Sequence, residues 1–221
     1  SENGEDYLRS LRGDGVRVRE FFVPGRIREN LTIHCDGSEE TRLSFAGFTV
    51  DENLLIGIET LLRETIGVDT VLSVTGSLPD GLSKESVKAF LRRCSSKGAK
   101  IVIDSRSFSL NDLLELKPWL IKPNQEEVSV YSAGPVQSFK EVSVFAADLH
   151  RQGISNVMVS LGAKGALLVC DEGSFLARPP KICAVSTIGA GDSSIAGFLS
   201  VCGPSSLRLR SAVAFGTASC L

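Results

Sequence analysis

The segment 184–199, AVSTIGAGDSSIAGFL, constrains the fold of this chain more than any other stretch. The apolar run 182–185 that leads into it predicts a strand, and the apolar spacing near its end predicts a helix. Between them, Gly189, Ala190 and Gly191 leave the backbone uncovered by side chains, so a ligand can approach it closely. The segment therefore predicts a strand, a bare turn and a helix in direct succession.

The start of this helix, expected near Ser193, has the properties of an anion-binding site. The first N–H groups of a helix have no intrahelical acceptor, and the helix dipole adds partial positive charge there. Asp192 lies at this positive end, where a carboxylate should stay ionised and could accept a proton from a substrate hydroxyl. Anion-binding amides beside one base suit phosphoryl transfer to an alcohol. A structural turn accounts for the same residues, because Asp is common at helix N-termini.

Two familiar nucleotide-binding motifs are excluded at this turn. The dinucleotide fingerprint GxGxxG needs a third glycine where this chain has Ser194, and a Walker A loop needs a lysine that does not follow Gly191. A nicotinamide dehydrogenase is disfavoured further, because the acidic residue expected about 20 positions later on the next strand is missing.

Charge and composition narrow the possible partners. The chain has 221 residues and a formal net charge of −2, with no long run of either sign, which argues against nucleic acid or a membrane surface as main partner. No apolar run reaches the roughly 20 residues of a membrane helix. The six cysteines contain no CxxC pair, which favours buried free thiols and a cytoplasmic location. His34 and His150 are too few and too distant in sequence to favour a histidine metal site or a Ser-His-Asp triad.

Strand and helix patterns alternate along most of the chain, which predicts an α/β fold with a mostly parallel sheet and helices on both faces. Strands are expected at 20–23, 28–34, 41–45, 70–74, 100–104, 119–122, 156–160, 167–170 and 174–177, and helices at 5–11, 51–67, 83–97, 110–116, 138–152 and 207–220. Because ligands bind at the carboxyl ends of such strands, the loops near 74, 104, 122, 160 and 185 should share one rim.

Residues 20–45 do not follow this alternation and are predicted to form a small β-sheet lid, with 1–19 and 46–221 as the α/β core. The turn signal at 36–38 predicts a hairpin. Alternation places Leu31 and Ile33 on one side and Arg28 and Asn30 on the other. One polar face suggests a cover over a site, and a solvated sheet face is the alternative.

Two further loops are candidates for the site. The glycines of SLGAKG, 160–165, would let amides approach a nucleotide phosphate, although a tight turn explains them equally. Asn124 and Glu127 have the spacing of a helix cap, and alternatively could lie near phosphate oxygens and the water shell of Mg²⁺. Arg28 could hold a substrate phosphate, since guanidinium matches phosphate geometry.

Four segments, taken in chain order, resemble motifs of the ribokinase-like (PfkB-type) carbohydrate kinase family. They are TGSLP at 75–79, IKPNQEE at 121–127, SLGAKG at 160–165 and TIGAGD at 187–192. The segment RENLTI at 28–33 and the KPN of the second motif are most similar to the family's hexose-phosphate branch. The resemblance implies a three-layer α/β/α sandwich with a small β-sheet lid.

The resemblance also implies a function: ATP- and Mg²⁺-dependent phosphorylation of a sugar phosphate, with fructose 1-phosphate giving fructose 1,6-bisphosphate as the first expectation. Asp192 would be the catalytic base, and the amides of Gly189, Ala190 and Gly191 would form the anion hole. Arg28 and Asn30 would bind the substrate's phosphate, and the lid could pair two subunits into a homodimer. The residues implied to bind the cofactor are Ser160, Gly162, Gly165, Lys122, Asn124 and Glu127, with Glu127 reaching the metal through water.

Two departures from the family pattern affect these expectations. Thr32 stands where the hexose-phosphate branch often has lysine, which leaves tagatose 6-phosphate, fructose 6-phosphate or a nucleoside open as the acceptor. The family's first strand with its sugar-binding Asp, and its GGKG-type segment, are not found before Ser1, so the chain is expected to be truncated at both ends. A non-enzymatic nucleotide-binding remnant is therefore the alternative from another functional class.

Overall fold

The computed structural model describes residues 3–33, 41–132 and 134–221, with only the backbone described at Thr32 and Arg42. The chain divides into two compact units. The first contains Ser1–Thr65 and Leu78–Phe90, and the second contains Ile66–Ser77 and Leu91–Leu221.

The first unit carries the predicted hairpin. Its strands β1 (Asn30–Ile33) and β2 (Thr41–Ser44) pair antiparallel, with Leu31 opposite Leu43, as the alternation predicted. The turn expected at 36–38 lies outside the described residues, and 20–23 is an irregular segment rather than the expected strand. The helices of this unit are α1 (Glu5–Gly13), α2 (Glu52–Leu62) and the first half of α3 (Lys84–Ser96).

The second unit is built on a six-stranded sheet in the order β3-β4-β5-β6-β7-β8. The strands β3 (Val71–Thr75), β4 (Lys100–Asp104), β5 (Leu120–Ile121) and β6 (Asn156–Ser160) are parallel. The last two, β7 (Ala166–Cys170) and β8 (Gly173–Ala177), form an antiparallel hairpin at the sheet edge. The mostly parallel sheet predicted from the strand–helix alternation is therefore confirmed, and its four parallel strands end at one rim.

Helices cover both faces of this sheet. Those after β4 are α4 (Leu110–Leu116), α5 (Gln125–Tyr131), α6 (Phe139–Arg151), α7 (Ala190–Leu199) and α8 (Ser205–Ala218), with a 3₁₀ turn at Gly162–Lys164. Phe198 of α7 and Leu209 of α8 pack on Val102, Leu120 and Met158. Val157 and Val159, which alternate with Met158 along β6, are equally buried on the other face, where α6 contacts β6 and β7. Each fully buried side chain of this size stabilises the fold by about 1.5–3 kcal/mol.

Three local expectations are wrong. Residues 182–185 form an exposed irregular segment instead of a strand, and α7 begins at Ala190 rather than near Ser193. Pro179 and Pro180 precede the segment and have no N–H for a strand ladder, and the Val185 N–H donates to the Cys220 carbonyl beyond α8. The strand β3 is half exposed rather than buried as the apolar run at 70–74 had predicted, because it lies at the edge of the described sheet.

The cysteine expectation holds in part. Cys94, Cys170 and Cys220 are buried free thiols, whereas Cys183 and Cys202 are exposed free thiols. Cys35 lies outside the described residues. Among the residues that the structure describes, no helix has both the length and the apolar character required to cross a membrane.

Candidate active site

The bare turn predicted from the sequence forms the N-terminus of α7. Gly189 is the N-cap residue, with φ of 80° in the left-handed region, and open space surrounds the position that a Cβ would take. Asp192 is the third helical residue and is exposed. The Ala190 N–H donates to the Thr187 carbonyl at 3.3 Å, whereas Gly191 and Asp192 occupy helix positions whose N–H groups have no acceptor within the helix. The turn thus presents partial positive charge and one accessible carboxylate.

A buried ammonium group lies against this turn. Lys122 follows β5, its side chain is 7% exposed, and its Nζ lies 3.1 Å from Asp104 Oδ2 at the end of β4. A Cβ on Gly191 would lie 3.1 Å from the same Nζ and 3.9 Å from Asp104 Oδ2. Glycine at position 191 therefore lets the helix start lie directly against the ammonium group without a tight contact, and the ammonium adds a full positive charge to the helix dipole.

Three carboxylates lie within electrostatic range of one another at this rim. Burial is the largest effect on the pKa of Asp104 and raises it above its ordinary value. The Lys122 ammonium opposes that rise, and the charges of Glu127 and Asp192 add to it. Since the three carboxylates repel one another, a cation bound among them would relieve the repulsion.

Sequence reasoning did not single out Asp104 as a site residue. The available signal was its position, since it is the last residue of a buried strand and the rim is where such strands end. Arg106 was missed as well, and its Nε donates to Glu127 Oε1 at 2.8 Å.

Asn124 and Glu127 form the helix cap that their spacing predicted as the alternative to a ligand-binding role. The Asn124 Oδ1 accepts from the Glu127 N–H at 2.9 Å, and Glu127 Oε2 accepts from the Asn124 N–H at 3.0 Å, so the two residues make a reciprocal capping box on α5. With Arg106 on its other oxygen, Glu127 has protein partners on both carboxylate oxygens. A cap does not exclude a second role, because each carboxylate oxygen has two lone pairs.

The loop 160–165 lies next to this cap. Asn124 and Ser160 form a parallel bridge, in which the Ser160 N–H donates to the Pro123 carbonyl at 3.0 Å. Gly162 has φ of 58° and open space around its Cα. Gly165, by contrast, is buried, with φ of 99°, and a Cβ there would overlap the Ala177 carbonyl of β8. Gly162 is thus open to a ligand, while Gly165 is required by the packing of the adjacent hairpin.

The two residues expected to bind substrate belong to the first unit, whereas all the site residues above belong to the second. Arg28 and Asn30 are exposed, one before and one at the start of β1. The chain before Arg28 is held by Asn3, whose Oδ1 accepts from the Ile27 N–H at 2.6 Å.

Taken together, the second unit places a base, an ammonium group and a helix N-terminus at one rim. This arrangement can deprotonate a bound hydroxyl and stabilise negative charge that develops beside it. Within the described parts of the chain, no group of three or more His, Cys, Asp or Glu side chains is arranged to hold a metal ion.

Comparisons with known proteins show the family to which this chain is similar. The model of the pfkB family of carbohydrate kinases matches residues 1–220. A 1-phosphofructokinase of Haemophilus influenzae is 34% identical over 201 residues, which cover 90% of this chain and 64% of that protein. This chain therefore spans less than two thirds of the length of that relative.

Solved structures of Escherichia coli phosphofructokinase-2 share the fold. Its complex with substrates and products superposes with a TM-score of 0.88 at 30% identity, covering 98% of this chain and 72% of that one. Its tetrameric inhibited form gives a TM-score of 0.87 at 28% identity, covering 100% of this chain and 74% of that one. The likeness thus extends over the whole of this chain.

Proposed function

Because the chain belongs to the pfkB family of carbohydrate kinases, we propose that the protein transfers the terminal phosphoryl group of ATP to a hydroxyl of a phosphorylated hexose. The observation that carries the proposal is the exposed carboxylate of Asp192 in the first turn of α7, beside the buried Lys122 ammonium group. The substrate we propose is fructose 1-phosphate, because the Haemophilus influenzae relative is a 1-phosphofructokinase.

In this mechanism the residues of the second unit assist a direct, in-line transfer of the terminal phosphoryl group from ATP to the sugar hydroxyl. The Asp192 carboxylate accepts the proton of the 6-hydroxyl as that oxygen attacks the terminal phosphorus of ATP. The bond from that phosphorus to the oxygen of the leaving ADP breaks in the same step, giving fructose 1,6-bisphosphate. The amides of Gly189, Ala190 and Gly191, with the Lys122 ammonium, stabilise the charge on the transferred group.

The nucleotide is proposed to lie along the rim beside α5 and the loop 160–165. Gly162 leaves the backbone open there, and Ser160 and Asn124 are joined by the bridge between β6 and α5. Gly165 supports this loop through its packing on β8 rather than through an open backbone. Lys122 would meet phosphate oxygens through its ammonium group, whose position beside Gly191 supports this role.

A divalent cation, Mg²⁺ by expectation, fits the donors at this rim. Mg²⁺ usually takes one or two protein carboxylates together with substrate phosphates and waters, and Asp104 and Glu127 are oxygen donors of that kind. Burial is the main cause of the raised pKa of Asp104, and such a cation would relieve the smaller contribution that the charges of Glu127 and Asp192 add to it. When bound, the cation would supply charge neutralisation on the phosphates, with Glu127 reaching it through water because both its oxygens already accept hydrogen bonds.

The hairpin of the first unit is proposed to act as the lid, comprising 20–45, over a core of 1–19 and 46–221. Arg28 and Asn30 would present their polar groups to the substrate's phosphate. The opposite face of the hairpin is apolar and exposed, with Leu31 50%, Ile33 41%, Leu43 43% and Phe45 55% accessible. We propose that this face covers the same face of a second copy in a homodimer. The Escherichia coli phosphofructokinase-2 also forms an assembly, a tetramer.

The test is an ADP-release assay on the polypeptide that contains this chain, over a panel of sugars, sugar phosphates and nucleosides. We expect fructose 1-phosphate to be the best acceptor and Asp192→Asn to lower kcat by about 10²–10⁴-fold, the usual contribution of a general base. Asp69→Asn, at an exposed aspartate before β3, is the matched control and should leave kcat unchanged.

Two results would reject the proposal. Near-normal turnover in the Asp192→Asn variant would remove the base from the mechanism. Nucleotide binding without phosphorylation of any acceptor would favour the non-enzymatic alternative. A clear preference for tagatose 6-phosphate or fructose 6-phosphate would keep the kinase and change its substrate.

A further inference from the structure

The helix that carries Asp192 is held unusually close to α8. A Cβ on Gly197 of α7 would lie 2.6 Å from the Ser211 carbonyl oxygen and 2.8 Å from Phe215 Cβ. A Cβ on Gly216 of α8 would overlap Ser194 Oγ and lie 3.0 Å from the Ala190 carbonyl oxygen. At Gly197 a Cβ would come closer to a backbone oxygen than real Cβ atoms do, so a side chain there would push the two helices apart. At Gly216 the closest atom is the Ser194 hydroxyl oxygen, which can rotate, and the Ala190 carbonyl oxygen is the backbone atom that would have to give way.

The two close contacts differ in what they touch. Gly197 contacts the middle of the helix pair. Gly216 contacts the first turn of α7, where the Ser194 hydroxyl donates to the Ala190 carbonyl at 2.7 Å. Ala190 is the first residue of α7, so this carbonyl belongs to the peptide unit whose N–H is that of Gly191. A displacement of that carbonyl rotates the same peptide plane that presents the Gly191 amide.

We propose that Gly216 is a positioning residue for the anion-binding turn of α7. By having no side chain, it leaves the Ala190 carbonyl and the neighbouring Ser194 side chain the space that they occupy between the two helices. This space, and not the Ser194 hydrogen bond, is what sets the turn. This fixes the orientation of the Ala190–Gly191 peptide and of Asp192, one residue further along. The proposal concerns the geometry of the turn, and only its consequence for phosphoryl transfer rests on the proposed function.

An alanine at position 216 would act on this turn in two ways. The Ser194 hydroxyl would have to rotate away and lose its bond to the Ala190 carbonyl. The carbonyl itself would then be pressed by the new methyl group, because 3.0 Å is too short for a relaxed contact. Since alanine forms helices better than glycine does, α8 gains local stability from the same change. The midpoint of thermal unfolding, measured beside kcat, separates loss of function in this variant from loss of fold.

The experiment compares four variants of the full-length protein: Gly216→Ala, Ser194→Ala, the double variant of the two, and Gly197→Ala. Gly197→Ala is the matched control, because it introduces the same methyl group into the same helix pair away from the first turn. The readouts are kcat and KM, the affinity for ADP by calorimetry, amide hydrogen exchange of residues 190–194, and the midpoint of thermal unfolding.

Gly216→Ala should lower kcat about tenfold, since misplacements of less than 1 Å in a reacting constellation cost up to 10²-fold. Within 190–194 it should also speed exchange of the amides that are hydrogen-bonded in the wild type, such as those of Ala190 and Ser193. The double variant should recover most of this loss, because removing the Ser194 hydroxyl makes room for the methyl group. Ser194→Ala should behave like the wild type. Gly197→Ala should lower the unfolding midpoint while the kcat of its folded fraction stays at the wild-type value.

Several results would overturn the proposal. One is a Gly216→Ala variant with wild-type kcat and wild-type exchange at 190–194. Another is a Ser194→Ala variant as impaired as Gly216→Ala, because the hydroxyl's hydrogen bond and not the packing of α8 would then set the turn. A double variant whose kcat and hydrogen exchange match those of Gly216→Ala would also overturn the proposal. If the wild type phosphorylates no acceptor, the proposed function fails, while hydrogen exchange still decides the role of Gly216.

Discussion

The ion pair between Lys122 and Asp104 sets the charge balance of the candidate site. The Asp104 carboxylate is partly buried beside two other carboxylates, and both conditions raise its pKa. The Lys122 ammonium is the one group among the causes that lowers the pKa of Asp104, and it does so from 3.1 Å. The Lys122 ammonium therefore offsets part of the rise in the pKa of Asp104 that burial and the two neighbouring carboxylates cause.

Replacing Lys122 by methionine should move the acid limb of activity to higher pH. Without the ammonium, burial and the charges of Glu127 and Asp192 all raise the pKa of Asp104, so its ionised form appears only at higher pH. The measurement is the pH profile of kcat/KM for ATP in wild type and variant. Lys140→Met, at a lysine on the surface of α6, is the control and should leave the limb in place. If the acid limb of Lys122→Met lies at the same pH as that of the wild type, the ionisation of Asp104 does not control kcat/KM.

The residues around this pair show what the sequence could predict. Asp192 at a bare helix start follows from the glycines before it, because their effect on the backbone is local. Asn124 and Glu127 were equally consistent with a cap and with a ligand role, and the structure forms the cap while leaving the ligand role a proposal. Asp104 was missed because its environment is made by Lys122, Glu127 and Asp192, which come from distant segments.

At the scale of elements, the start of α8 depends on a residue far away in sequence. Its N-cap position is Pro204, which supplies no capping hydrogen bond. Instead Glu172, in the turn between β7 and β8, accepts from the Ser205 N–H at 3.0 Å and from the Ser205 hydroxyl at 2.7 Å. These hydrogen bonds lower the pKa of Glu172 below its ordinary value. Because the cap comes from another element, the sequence predicted this helix only from residue 207.

Replacing Glu172 by glutamine should destabilise the protein at neutral pH and have little effect in acid. The wild-type carboxylate has a lowered pKa when folded, so its stabilising contribution is present above the ordinary Glu pKa and is lost as pH falls through the folded value. The measurement is denaturant unfolding of wild type and variant at a series of pH values from 7 downward, continued well below the ordinary Glu pKa because the folded pKa of Glu172 is lowered. Glu64→Gln, at an exposed glutamate after α2, should show no such pH-dependent difference. An equal effect of Glu172→Gln at every pH of the series would show that the cap does not depend on charge.

The segment before α7 is a second element whose structure could not be predicted from its sequence pattern. Its apolar residues 182–185 have the pattern of a strand, but Val185 is 76% exposed and hydrogen-bonds to the end of α8. A strand requires a partner with free N–H and C=O groups as well as a pattern. The β7–β8 hairpin, whose two strands were predicted at 167–170 and 174–177, occupies the sheet edge instead.

At the scale of the whole molecule, the α/β architecture could be predicted from alternation, whereas the division into units could not. The predicted lid, 20–45, is defined by function, while the first compact unit also includes α2 and residues up to Phe90. Thr49 and Asp80 form a parallel bridge within that unit, and the Val50 N–H donates to the Asp80 carbonyl at 2.8 Å. Such pairing between segments about thirty residues apart leaves no local signal in the sequence.

The exposed apolar face of the hairpin leads to a prediction about assembly. Leu31 and Leu43 lie directly opposite each other on the two strands, and a two-stranded sheet with one apolar face gains stability by covering it. Leu43→Lys should therefore convert the proposed dimer to a monomer. Fully burying one leucine side chain stabilises an interface by about 1.5–3 kcal/mol, and the substitution removes that burial. The two introduced lysines would also place like charges together across the interface.

The measurement is sedimentation velocity over a range of protein concentrations, with Ser44→Lys as the matched control. Ser44 is the neighbouring residue on the same strand, and because strand side chains alternate, it points to the opposite face of the hairpin. That variant should stay dimeric while Leu43→Lys dissociates. A wild-type monomer, or two variants that dissociate equally, would contradict pairing through the apolar face. Dissociation of Leu43→Lys alone would place the contact between subunits on the apolar face, which carries Leu31, Ile33, Leu43 and Phe45. Arg28 and Asn30 on the polar face would then remain free for the substrate's phosphate.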